Sequence, residues 1–249
     1  MHDDLLSLIA MLMALVLVIP VAAEVIAGAL TGTGGGGSSA LTKAGGVSAW
    51  KVPLAVLFQQ LMMGGLAAWR LRYVGYSWEA LGLRLRPLWA QLEAGCRAGV
   101  SLLMLNIAGS TVVGAVLASL RGPEQSLRLI YAEQERLVGL LRVEAKNLPV
   151  LLVLLLTIVI VAPVAEELFF RGYVYNVLKR ITGRWAVVVS SLIFTGIHFY
   201  VVQAPVVFIL SVVLTYIYES KGSLLVSMSA HGFMNLLVAL MAILFGRFT

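Results

Sequence analysis

The stretch Ala162–Tyr173 reads A-P-V-A-E-E-L-F-F-R-G-Y and places Glu166, Glu167 and Arg171 directly behind Leu148–Ala165, eighteen residues without a charge. A charged group at membrane depth costs about 2.5–3.5 kcal/mol even on the lenient insertion scale, so three together need partners or a task. Leu148–Arg180 has helix-forming composition, with Pro149 near its start and Pro163 as a kink. Residues four apart share a helix face, and Glu before Arg is the favourable order. Glu167 and Arg171 are therefore expected to form an ion pair. Glu166 points about 100° away from Glu167 and toward other groups. The competing reading is that all three mark the end of a span at the headgroup layer.

The composition around this stretch is that of a membrane protein. Of 249 residues, 60% are hydrophobic and only 12% are charged, and the mean hydropathy is +0.96. A soluble domain carries about 25% charged residues. The net charge of +6 and the pI of about 9.7 come from basic residues between apolar runs. Anionic lipid headgroups are the expected partner, and nucleic acid is not. Cys96 is the single cysteine, so no intramolecular disulfide can form.

Seven spans are expected: one from Leu5 to Leu30, then Pro53–Trp69, Ala98–Leu120, Leu148–Val164, Trp185–Tyr200, Ala204–Tyr218 and Leu224–Phe245. An eighth follows if one segment is split or re-entrant. Thr31–Ser39 is a Gly/Ser linker by composition. Arg70–Arg97 reads as a basic connector on the membrane surface, with Trp78 and Trp89 in it. Arg121–Asn147 carries Leu127, Ile130, Leu137, Leu140 and Leu141 at helical spacing, an interfacial amphipathic helix. The fold class is thus an all-α, multi-pass transmembrane bundle of about seven to eight spans with an interfacial helix. It forms one membrane domain, 1–249, with N-terminal spans and interfacial helices over 1–147 and a catalytic core over 148–245.

Polar residues recur in the last two histidine-bearing spans. Phe194 and His198 are four apart, so the ring of Phe194 can support that of His198; His231 and Asn235 also share a face. Asn106 in the third span reads as a helix–helix contact. A carboxylate in an apolar setting can take a proton from water, a histidine can hold that water, and a second histidine and an amide can donate to an oxyanion. This set suits hydrolysis of an amide. No G-x-S-x-G turn offers a covalent nucleophile. Glu166, His198 and His231 could also make a His₂Glu zinc set, although the H-E-x-x-H signature is absent. A proton-coupled transporter is a further alternative, against which no paired broken helices or inverted repeats are found.

Glu166-Glu167-x-x-x-Arg171, Phe194-x-x-x-His198 and His231-x-x-x-Asn235, in this order on late apolar segments, resemble the three motifs of the CPBP family, the type II CAAX prenyl endopeptidases and bacteriocin-processing or self-immunity (ABI) proteins. The resemblance covers Leu148–Phe245. It implies a glutamic-type intramembrane endopeptidase without a cofactor, acting on a peptide or lipidated-peptide substrate in a bacterial cell membrane. Glu166 would be the base, His198 would hold the water, and His231 and Asn235 would form the oxyanion hole. Glu167, Arg171 and Phe194 would give structural support. A non-catalytic scaffold or immunity protein of the same fold is the alternative.

Overall fold

A computed structural model describes residues 2–32, 48–84, 87–144 and 147–245. The described chain is helical: α1 His2–Met13, α2 Ile19–Leu30, α3 Lys51–Tyr73, α4 Leu88–Arg121, α5 Pro123–Glu144, α6 Leu148–Leu156, α7 Ala162–Glu167, α8 Asn176–Thr182, α9 Ala186–Ile197, α10 Ala204–Lys221 and α11 Leu224–Phe245. Wider π-helical turns join several of these end to end, at Ala14–Val18, Thr157–Val161 and Leu168–Tyr175.

Six helical segments are long and apolar enough to cross a membrane, among the described residues. Two of the seven expected spans, Leu148–Val164 and Trp185–Tyr200, fall in one continuous 50-residue helical stretch, Leu148–Ile197. It runs from α6 to α8, turns at Gly183 with φ +58°, and returns as α9. With 12 residues, α9 is about 18 Å long, short of the roughly 30 Å of a bilayer core. His198 caps its C-terminal end. The basic connector is also shorter than expected. Helix α4 begins at Leu88, so Trp89, Cys96 and Arg97 are helical. The linker residues 33–39, and Leu137 and Leu140 of the amphipathic stripe, lie outside the described residues and side chains.

Small residues set how closely the helices meet. Gly95 and Gly99 sit four apart on α4, and a Cβ on either would fall within 3 Å of Ser229 or Ala230 on α11. Such small-residue faces let helix backbones approach in lipid, where no hydrophobic force draws them together. On the other side, Gly64 of α3 lies against Ala165, whose Cβ would be 3.1 Å from an added Cβ. The segment from Leu168 to Tyr175 is thereby enclosed, and every residue in it is buried. Large apolar side chains such as Leu17, Val112, Leu152 and Leu156 point outward, the surface expected of helices that face lipid.

Candidate active site

Pro163 shapes the backbone beneath the site. Its ring nitrogen has no hydrogen to give. The preceding π turn lets the N–H of Ala162 bond the carbonyl of Thr157, five residues back. The carbonyl of Ile158 is then left without a helical donor, because the next nitrogen belongs to Pro163. The Asn235 amide on α11 fills the gap, Nδ2 donating to the Ile158 oxygen at 3.0 Å. Gly232, three residues earlier, lets α11 approach this turn: an added Cβ would meet the Val159 oxygen at 2.4 Å.

The two adjacent glutamates have different partners. Arg171 Nη1 donates to Glu167 Oε1 at 2.9 Å, and both side chains are sealed from the surface, as their four-residue spacing predicts. The guanidinium also donates through Nη2 to the carbonyl and hydroxyl oxygens of Ser211 on α10, at 2.9 and 3.0 Å. It lies 4.9 Å from the centre of the Phe194 ring. Glu167 Oε1 accepts a second bond from His231 Nδ1 at 3.0 Å. A carboxylate paired with arginine can only accept, so the proton is on Nδ1, and the ring is held with Nε2 directed away from Glu167.

That nitrogen comes within 3.8 Å of Glu166 Oε2. The other oxygen of Glu166 accepts from Gln60 Nε2 on α3 at 3.3 Å. Glu166 is buried, and among the described residues no arginine forms an ion pair with it, in contrast to Glu167. His198 donates from Nδ1 to its own Phe194 carbonyl at 2.7 Å, which leaves Nε2 for other partners. Its ring lies tilted against Phe194 and stacks on Tyr200, with centroids 4.5 and 6.0 Å apart. Phe199 follows with φ +53°, a left-handed conformation unusual for a bulky residue. Glu133 on α5 accepts from the backbone N–H groups of Val201, Val202 and Gln203 at 2.8–3.2 Å and so fixes the loop after His198.

Glu166, His198, His231 and Asn235 line one cavity of about 230 Å³, together with Phe194, Tyr200, Leu210 and Met234. The headgroup reading of Glu166 and Glu167 does not fit, since both are buried. Asn106, expected as a helix contact, lines the same cavity and bonds Ser110 of its own helix. Gln60 escaped the sequence reading altogether. Its signal was present: Gln59 and Gln60 are consecutive amides in an apolar span. Ser211 gave no signal, because a serine in a span is unremarkable until its partner is known. Among the described residues no three His, Cys, Asp or Glu side chains gather as a metal set.

Fold and site together define a multi-pass helical membrane protein with a carboxylate–imidazole cavity buried in the bundle. Residues 148–237 match the family described as type II CAAX prenyl endopeptidase Rce1-like. This match supports a membrane protease of the CPBP family, with a CAAX-type intramembrane protease function. The matched segment holds all seven motif residues. No curated protein and no solved structure matches the chain.

Proposed function

We propose that this protein is an intramembrane endopeptidase that hydrolyses a peptide bond with water activated by Glu166, without a metal. Its substrate is a membrane-held peptide or lipidated peptide, of the kind cleaved in CAAX or bacteriocin processing. One observation carries this reading: a carboxylate, two imidazoles and an amide, from α7, the end of α9 and α11, line a single small cavity.

The roles follow from the free atoms. Glu166 takes a proton from water while His198, through Nε2, holds the water in line. The water oxygen bonds the carbonyl carbon, and the carbonyl oxygen becomes an oxyanion. His231 Nε2–H and the second N–H of the Asn235 amide donate to it. The donation requires His231 to carry protons on both ring nitrogens. Glu166 then passes its proton to the leaving nitrogen as the C–N bond breaks. Glu167, Arg171 and Phe194 hold the imidazoles and do not react.

The test is peptide cleavage by purified protein in lipid or detergent. Glu166→Gln should lower turnover by about 10²–10⁴-fold, the usual worth of a general base, with its thermal unfolding unchanged within a few degrees. Retained turnover would remove Glu166 as the base.

A further inference from the structure

We propose that Gln60 is a positioning residue for Glu166, holding its carboxyl group in both the charged and the protonated form. This rests on the reading of Glu166 as the base. Gln60 lies on α3, outside the 148–237 segment matched by the family.

The placement is built rather than incidental. Gly64 packs against Ala165 closely enough that even a methyl group would be tight. Gln60 precedes Gly64 by one helical turn and shares its face, so the close approach of α3 brings its amide to Glu166. Nε2 donates to Glu166 Oε1 at 3.3 Å. Gln60 Oε1 is buried and has no hydrogen-bond partner among the described residues. A buried, unmet acceptor costs about 1–3 kcal/mol, so its retention beside a proton-exchanging group calls for an explanation.

The chemistry of an amide supplies one. A terminal amide carries a donor and an acceptor on one planar fork, and rotation about its last bond exchanges them. While Glu166 is a carboxylate, Nε2–H donates to it. Once Glu166 has taken the proton from water, its O–H needs an acceptor, and Oε1 provides it. When the proton moves on to the leaving nitrogen, the first arrangement returns. Gln60 itself gains and loses no proton. A cation in its place would favour only the carboxylate, and that is what Arg171 does for Glu167. The two neighbouring glutamates thus receive partners suited to opposite tasks: a fixed charge for one, and a two-way hydrogen-bonding group for the other.

The test compares Gln60→Met, which keeps the length of the side chain and removes both amide atoms, with Gln59→Met. Gln59 faces a separate cavity with Pro20 and Glu24. Gln60→Met should lower kcat by about tenfold or more with KM changed by less than about twofold, the scale of one hydrogen bond to a charged group. Gln59→Met should leave kcat unchanged. Gln60→His, which keeps an N–H donor, should recover part of the loss. A second readout needs no substrate: the infrared carboxyl band that disappears in Glu166→Gln should shift in frequency in Gln60→Met and stay in place in Gln59→Met. If Gln60→Met is unstable, the same band is read in Gln60→His, where a smaller shift is expected. Unchanged kcat and an unmoved band in the Gln60 variants, with Glu166→Gln inactive, overturn the role of Gln60 and leave the base standing. Turnover that survives Glu166→Gln overturns the base itself.

Discussion

Glu167 Oε1 accepts from both Arg171, at 2.9 Å, and His231, at 3.0 Å, so a single buried oxygen ties the motif helix to α11. The Arg171 side chain is 1% exposed and that of Glu167 0%. At this depth, removing one partner leaves a charge with no water to turn to, which costs about 3–5 kcal/mol. Arg171→Met is therefore expected to lower the thermal unfolding temperature clearly and to reduce activity. Arg171→Met combined with Glu167→Gln should recover part of the stability, because no unpaired ion remains. A single variant as stable as the unchanged protein would refute the buried-pair account.

Asn235 has a structural duty that Pro163 creates. Asn235→Leu is expected to cost about 1–3 kcal/mol by leaving the Ile158 carbonyl unmet. In a Pro163→Ala background the chain regains a backbone N–H, and the cost of Asn235→Leu should shrink. Unfolding of the four proteins in this double-mutant cycle measures the coupling. Additive effects would show that the two positions are independent.

Gly232→Ala places a methyl group 2.4 Å from the Val159 oxygen. Neither atom belongs to a flexible side chain, so α11 must move off the π turn, at about 1–3 kcal/mol. The shift also carries His231, so cleavage should fall with stability. Gly65→Ala is the control, since nothing lies within 4 Å of its added Cβ; it should be neutral or slightly stabilising.

Glu133 holds three backbone N–H groups of the loop that follows His198. Glu133→Ala should speed amide hydrogen exchange across residues 199–204 and lower kcat more than it lowers overall stability. Exchange in that loop at the original rate would exclude Glu133 as its clasp.

Water activation by a carboxylate needs no metal ion. Cleavage is expected to persist in a strong chelator. Activity lost to the chelator and restored by added zinc would instead favour a His₂Glu zinc site.

Much of this was legible in the chain. The apolar runs marked the membrane segments, because a bilayer leaves long hydrophobic helices as the simplest solution. The Glu167–Arg171 pair was legible because i,i+4 spacing is a property of one helix and requires no knowledge of its neighbours. Three motif segments in order pointed to the family whose description matches residues 148–237. Helix ends were less legible: Trp185–Tyr200 reads as one apolar run, but α9 spans only Ala186–Ile197, because the chain turns at Gly183 and again after His198.

The sequence by itself determined an oily all-helical protein with an internal ion pair and a set of hydrolytic residue types. Only the tertiary structure decided which of those side chains meet. Periodicity states which face a residue occupies, but not which face of which distant helix comes against it. That choice is made where Gly64, Gly95, Gly99 and Gly232 permit close approach, and by the carbonyl that Pro163 leaves unpaired for Asn235. Gln60 reaches Glu166 across 106 residues of chain, a meeting fixed by packing alone.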